Sequence, residues 1–173
     1  MKKLYSVLIA LGVLALVASV AGAAEAKPAY PSWSKQINTT NRLTVLNAFG
    51  GAAVLDNETG LVWEQSPSTN TFTWLTAPYH CNNLTVGNRK GWRLPTIQEL
   101  ASLVDPSVPF LTLPTGHPFS NVQASYYWSA TADTNVSSFA WVMFFSLGDV
   151  GFEFKDVASF VWCVRGGQGV DSQ

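Results

Sequence analysis

Residues 92–104 read WRLPTIQELASLV, and this stretch carries the clearest structural signature in the chain. Thr96 is followed three residues later by Glu99, which is the spacing of a capping box at a helix N-terminus. Apolar residues then recur at helical spacing from Ile97 to Val104, and Asp105-Pro106 stops the pattern. We therefore predict an amphipathic helix that begins after Thr96 and ends before Pro106.

Upstream of this helix the sequence predicts a β-hairpin and a shorter helix. Residues 53–55 and 61–63 are apolar and flank the turn formers DNETG at 56–60. A helix is expected around residues 77–84 with Thr76 as its N-cap, because Pro78 is tolerated in a first turn but would break a helix begun earlier. Cys81 and Leu84 then share one face of this helix.

Downstream, the chain reads as a long loop followed by strands. Residues 106–123 contain four prolines and no hydrophobic period, which indicates a functional or irregularly packed loop. Residues 126–128 are aromatic, 139–145 are apolar on both faces, and 150–155 and 160–165 alternate as half-buried strands do. A hairpin, two helices and then antiparallel strands predict an α+β domain. Four tryptophans lie in or beside these strands, and we expect most of them to be in the core: Trp63, Trp128, Trp141 and Trp162.

The N-terminus has the pattern of a secretory signal peptide. Lys2 and Lys3 precede an apolar run over residues 4–20, and small residues at 21–24 suit cleavage. An uncleaved membrane anchor is the alternative, since the run approaches the length of a span. Beyond residue 24 no stretch is apolar enough to cross a membrane. We predict a signal peptide over 1–24, a linker over 25–41, a domain over 42–167 and a tail over 168–173, in a periplasmic or secreted protein.

Charge and cysteine content narrow the classes of function. Removal of Lys2 and Lys3 leaves 8 basic against 11 acidic residues, and this net charge of −3 gives no electrostatic case for binding nucleic acid. Cys81 and Cys163 most simply form one disulfide in an oxidising compartment. A free reactive thiol or a metal ligand is the competing interpretation, but no histidine or further cysteine stands at ligand spacing.

Several short motifs occur together in one order and resemble a known family. They are DNETGLVW at 56–63, CNNL at 81–84, WRLPT at 92–96 with Glu99-Leu100, YWSAT at 127–131 and CVRGG at 163–167. This ordered set is similar to the bacterial Lcl C-terminal domain family, named after the C-terminal domain of a collagen-like adhesin, and covers about residues 42–167. The chain departs from the namesake in lacking a collagen-like repeat, and Pro78 interrupts the helix before Cys81.

The resemblance implies a C-type-lectin-like fold, with two helices and a mainly antiparallel twisted sheet. Such folds join their first helix to their last strand by a disulfide, and Cys81 and Cys163 fall in those two elements. The more distantly related formylglycine-generating enzymes use active-site cysteines in addition to structural ones, whereas both cysteines of this chain are assigned to the bridge. Neither His80 nor His117 has a convincing nucleophile or carboxylate companion in the sequence, so we expect no catalysis and no cofactor.

We expect ligand recognition on a surface built by the 106–123 and 132–138 loops, because aperiodic loops on a rigid sheet suit binding. Phe119 would supply a stacking face, with Asp133 and Asn135 as polar anchors. Two such ligands fall far short of the 6–8 oxygens of a Ca²⁺ site, and the Glu-Pro-Asn and Trp-Asn-Asp triplets of calcium-dependent lectins are missing, so no metal is expected. An alternative site is the basic cluster of Arg89, Lys90 and Arg93, although Arg93 is expected to pair with Glu99 or to cap a carbonyl.

The sequence thus favours a non-catalytic extracytoplasmic binding domain, lectin-like or adhesive, whose partner is a polysaccharide or another envelope protein. A structural or assembly protein of the cell envelope is one alternative. A target protein of a diversity-generating retroelement is another, because some such proteins use this fold.

Overall fold

The computed structural model describes residues 42–166, which form eleven helices and strands and one short 3-10 turn. The predicted signal peptide, the linker and the tail lie outside the described residues. In chain order the elements are β1 (Leu43–Val45), the 3-10 turn (Asn47–Phe49), β2 (Ala53–Asp56), β3 (Leu61–Glu64), β4 (Thr71–Phe72), α1 (Ala77–Asn83), α2 (Ile97–Ala101), β5 (Tyr126–Ala132), β6 (Phe139–Phe144), β7 (Asp149–Phe154), β8 (Ser159–Phe160) and β9 (Val164–Gly166).

The strands form two sheets, and the α+β class predicted from the sequence is confirmed. One sheet has the order β1-β2-β3-β9, and the other has the order β4-β8-β5-β6-β7. Every pairing is antiparallel except the short contact between β5 and β8, where Tyr127 lies opposite Phe160. The predicted hairpin is β2–β3, and the final strand is divided into β8 and β9 by residues 161–163.

Helix α2 begins as predicted but ends early. The Thr96 side chain accepts from the Glu99 N–H, and the Glu99 carboxylate accepts from the Thr96 N–H at 2.8 Å, so both halves of the capping box are present. The predicted end near Asp105 is wrong, because the helix stops at Ala101. The Ser102 hydroxyl donates to the Glu99 carbonyl, and the next turns use the tighter i to i+3 hydrogen bond, as from Leu103 N–H to Leu100 O.

The core consists of two clusters of buried side chains. The first is built around Trp162, whose ring lies 5.6 Å from that of Trp63 and 4.7 Å from that of Phe119. The second contains Trp92, Trp128 and the disulfide. Three of the four tryptophans expected in the core are fully buried, and the fourth, Trp141, is half-buried.

The predicted Cys81–Cys163 disulfide is present. It joins α1 to the residue just before β9, with the two Cα atoms 5.5 Å apart. The two cysteines are 82 positions apart in the sequence. The bridge therefore ties helix α1 to the C-terminal end of the domain. Within residues 42–166, no helix has the length and apolar character needed to span a bilayer.

Candidate functional site

The two loops expected to build one binding surface lie at opposite ends of the larger sheet. In the 106–123 loop, the Thr112 N–H donates to the Phe145 carbonyl, at the end of β6 where the turn to β7 starts. Residues 133–138 connect β5 to β6 at the other end, where the Asp133 N–H donates to the Phe139 carbonyl. Six residues of β6 separate these ends by about 20 Å. The two loops therefore do not meet on one surface.

Phe119 is a core residue and not a stacking platform. Its side chain is only 7% exposed, and its ring packs edge-on against Trp162. The aromatic ring that the 106–123 loop does present to solvent is Phe110, which is 77% exposed and has a φ of 60°. The aperiodic, proline-rich sequence around Phe119 contains no signal of this burial.

Asp133 and Asn135 shape their own loop. The Asp133 carboxylate accepts the backbone N–H of Asn135 at 2.7 Å and that of Val136 at 3.4 Å. Such a turn uses the aspartate oxygen to order the backbone, which leaves less of it for a ligand. Among the residues that the structure describes, no group of three or more His, Cys, Asp or Glu side chains is arranged to hold a metal ion.

Of the three residues in the predicted basic cluster, Arg93 is engaged in contacts within the domain. The Arg93 guanidinium donates to both carboxylate oxygens of Glu99, at 2.8 and 2.6 Å, and to the Gly166 carbonyl. Burial opposes ionisation of Glu99, but these bonds and the Arg93 charge hold the pKa of that carboxyl below its ordinary value. Arg93 is therefore a brace between α2 and β9.

Arg165 lies beside Arg89, because both guanidiniums are close to the ring of Phe49. The guanidinium of Arg89 lies 4.8 Å from the centre of the Phe49 ring, and that of Arg165 lies 5.9 Å from the same ring. Lys90 follows directly in the chain and is exposed. Because aromatic rings attract cations, Phe49 holds the two arginines as one basic surface with Lys90.

A cleft of about 490 Å³ opens beside α1. Its lining combines two aromatic rings, a histidine, two hydroxyls, an amide and an aliphatic side chain, contributed by Phe72, Thr76, Tyr79, His80, Asn83, Leu84 and Thr85. Tyr79 is 70% exposed, so most of its side chain is open to solvent beside the cleft. The cleft is shallow and open to solvent, so a ligand would lie against its lining with one side exposed and would not be enclosed.

The cleft carries no formal charge at neutral pH. The rings of His80 and Phe72 are stacked with their centres 4.4 Å apart, and burial lowers the pKa of His80, which keeps the imidazole neutral. None of the other lining side chains is an acid or a base that ionises near neutrality. The arrangement suits a neutral ligand with both apolar faces and hydroxyl groups.

The walls of the cleft are fixed by the core. Cys81, on the opposite face of α1 from Tyr79, is fully buried and disulfide-bonded. The Phe72 carbonyl accepts the indole N–H of Trp128 at 2.8 Å, and the Asn83 amide donates to the Tyr79 carbonyl at 2.8 Å. These contacts fix the backbone from which the lining side chains project.

The family profile of the Lcl C-terminal domain matches residues 52–165. The chain belongs to the Lcl C-terminal domain family. The match includes every lining residue of the cleft and both cysteines of the bridge, so the cleft is part of this Lcl C-terminal domain. No curated protein matches the chain in a sequence comparison.

One feature of the sequence indicates the cleft, although no short motif marks it. In this Lcl C-terminal domain, Thr76, Tyr79, His80 and Asn83 are spaced i, i+3, i+4 and i+7, which places them along one face of a helix. The pattern is a polar and aromatic face opposite the buried Cys81.

Proposed function

We propose that this domain is an exported, non-catalytic binding module with a C-type-lectin-like fold, and that it holds a neutral saccharide in the cleft beside α1. The observation that carries the proposal is the uncharged lining of the cleft, in which an exposed tyrosine ring stands among hydroxyl and amide groups. No ion is needed for this mode of recognition.

The chemistry of a sugar matches this lining. A pyranose ring has an apolar face of C–H groups that packs against an aromatic ring, and a rim of hydroxyls that donate and accept hydrogen bonds. Tyr79 offers the ring and Thr85 a hydroxyl. The Asn83 amide donates one N–H to the Tyr79 carbonyl and keeps its second N–H and its oxygen for a ligand. The Thr76 hydroxyl donates to the Thr73 carbonyl and can only accept. A few polar groups that set orientation, within a largely apolar pocket, are the usual composition of a small-molecule site.

The side chains at the cleft support binding over catalysis. His80 is the one lining group able to transfer a proton near neutral pH, and its Nε2 atom is buried without a hydrogen-bond partner. No carboxylate stands among the lining residues to activate it. Both cysteines of the chain are joined in the disulfide, so neither is available as a nucleophile.

The disulfide also supports export. Structural disulfides persist in oxidising compartments and are rare in the cytosol. The bridge therefore fits the secretory pattern at the start of the chain.

A glycan array probed with the purified protein tests the proposal. We expect binding to uncharged glycans that survives high salt and a calcium chelator, is lost in Tyr79→Ala, and is retained in Tyr79→Phe, which keeps the ring. Phe110→Ala removes an equally exposed ring outside the cleft and should change nothing. Binding that persists in Tyr79→Ala would place the site elsewhere and contradict the proposal.

A second candidate is recognition of an anionic polysaccharide by the basic surface of Arg89, Lys90 and Arg165. The observation that favours it is the pair of guanidiniums held over Phe49. Such binding would weaken steeply as salt is added, because it depends on charge. The double variant Arg89→Ala with Lys90→Ala should abolish it and leave neutral glycans unaffected, whereas salt-insensitive binding would exclude it.

A further inference from the structure

Strand β7 is an edge strand with an apolar, solvent-exposed face. It pairs with β6 on one side and ends the order of the larger sheet on the other. Val150, Phe152 and Phe154 share one face of β7 and are 46%, 58% and 50% exposed. Beneath them the ring of Phe139 in β6 contacts the two phenylalanines, at 5.1 and 4.2 Å between ring centres. An exposed apolar edge of this kind is a template for pairing with another strand.

Along β7 the backbone N–H and C=O groups of successive residues point alternately toward β6 and away from it. The Lys155 N–H donates to the Ser138 carbonyl, opposite it in the β6–β7 register, so the odd-numbered residues of β7 bond to β6. The backbone groups of residues 150, 152 and 154 therefore point outward along the sheet. The Phe154 N–H is consistent with this, since it donates to the carboxylate of the neighbouring Glu153.

We propose that β7 pairs antiparallel with β7 of a second copy of this chain, centred on Phe152, so that two larger sheets join into one across a two-fold axis. In this register Phe152 lies opposite its own copy, and Val150 lies opposite Phe154 on either side. All of these are outward-pointing positions, so each pair exchanges backbone hydrogen bonds. The apolar side chains of both strands then cover one another on the same face of the joined sheet.

The other face of the strand is also self-complementary in this register. Asp149 lies opposite Lys155 of the second copy, twice by symmetry, and Glu153 lies opposite Gly151, which leaves room for its longer side chain. A register shifted by two residues in one direction places Asp149 opposite Glu153 of the second copy. A shift of two residues in the other direction places Glu153 opposite Glu153 of the second copy. Both shifts bring like charges together, so the charges select the register centred on Phe152.

Lys155 can reach this position without giving up all of its present contacts. Its ammonium lies 4.3 Å from the centre of the Trp74 ring and donates to the Ser137 carbonyl at 2.7 Å. An ammonium group has three N–H donors, so a donor remains for Asp149 of the second copy. The symmetric pairing is a closed two-fold contact, which ends at a dimer and does not propagate into a fibre.

The first test measures the mass of the purified protein by sedimentation equilibrium from micromolar to millimolar concentration. We expect a reversible monomer–dimer equilibrium for the wild type. Phe152→Lys places two lysines opposite each other at the centre and should raise the dissociation constant at least about tenfold. Phe110→Lys makes the same change at an exposed ring outside the edge and should leave the equilibrium unchanged. A wild-type protein that is monomeric throughout, or a dimer that survives Phe152→Lys, would overturn the proposal.

The second test reads the register by exchanging charges. Asp149→Lys alone and Lys155→Asp alone each create two like-charge contacts and should weaken the dimer about tenfold. A mixture of the two single variants restores both opposite-charge contacts, so it should form heterodimers with nearly wild-type affinity. This recovery also shows that both variants are folded. A mixture no better than its components would refute this register.

Discussion

The buried carboxyl of Glu64 should make the stability of the domain fall as pH rises. Glu64 lies in β3, is buried, and accepts the Cys163 N–H at 2.7 Å, while its own carbonyl accepts the Trp162 indole N–H. Burial raises the pKa of Glu64 from 4.5 to about 7, even though the bond from Cys163 lowers it. The side chain is therefore largely protonated below neutrality in the folded state and ionised in the unfolded chain above about pH 4.5.

The sign and the size of the effect follow from these two pKa values. Between them the folded state holds a proton that the unfolded state has released, so raising the pH favours unfolding. A shift from 4.5 to about 7, at about 1.4 kcal/mol per pKa unit, amounts to a loss of about 3 kcal/mol in the free energy of unfolding. The stabilisation is fully present below pH 4.5 and lost as the pH passes through 7.

Glu64→Gln keeps the shape and the acceptor for the Cys163 N–H but cannot ionise. Urea unfolding at a series of pH values from 4 to 9 should show that wild type and variant are similar in acid, and that the variant is about 3 kcal/mol more stable above pH 8. The quantity to follow is the difference in the free energy of unfolding between wild type and Glu64→Gln, because the contributions of all other titrating groups cancel in it. Burial lowers the pKa values of His80 and His117, and these groups act with the opposite sign within the same pH range.

The matched control is Asp156→Asn, which removes a carboxylate from an exposed position. Its stability should stay parallel to that of the wild type across the same pH series. Parallel curves for Glu64→Gln and the wild type would show that the raised pKa of Glu64 in the folded state is not present.

Three further predictions concern the bridge, a turn and export. Cys163→Ser should lower the free energy of unfolding by about 4 kcal/mol, because the bond to Cys81 closes a loop with a separation of 82 residues; equal melting temperatures for wild type and variant would contradict this. Gly87→Ala should lower the melting temperature markedly, since Gly87 has a φ of +55° and an added Cβ would lie 2.5 Å from the Phe49 Cα; an unchanged melting curve would show that the turn relaxes freely. N-terminal sequencing of the protein from its native host should find a start near Ala24, and a retained initiator methionine would disprove signal cleavage.

Local signals explain what could be predicted from the sequence. The Thr96–Glu99 capping box and the β2–β3 hairpin were predicted because each depends on residues a few positions apart. The disulfide was predicted because the chain has two cysteines and the pairing had one solution.

Long-range contacts explain what was missed. Phe119 is buried by Trp162, 43 positions later, and nothing near Phe119 in the sequence reports that contact. The half-buried pattern of β7 was read correctly as alternation, but its apolar side chains are half-exposed because β7 is at the sheet edge. The early end of α2 reflects the Ser102 hydroxyl bonding to the backbone, which competes locally with the helical pattern.

Mapping where a neutral glycan binds on the protein shows whether the cleft beside α1 takes a neutral saccharide. The ¹⁵N-labelled protein is titrated with the neutral glycan that binds most tightly on the array, and backbone amide shifts are followed by NMR. We expect saturable shifts concentrated in residues 72–85 and absent in Tyr79→Ala. Shifts confined to residues 86–90 and 165, or no neutral glycan that binds at all, would contradict it.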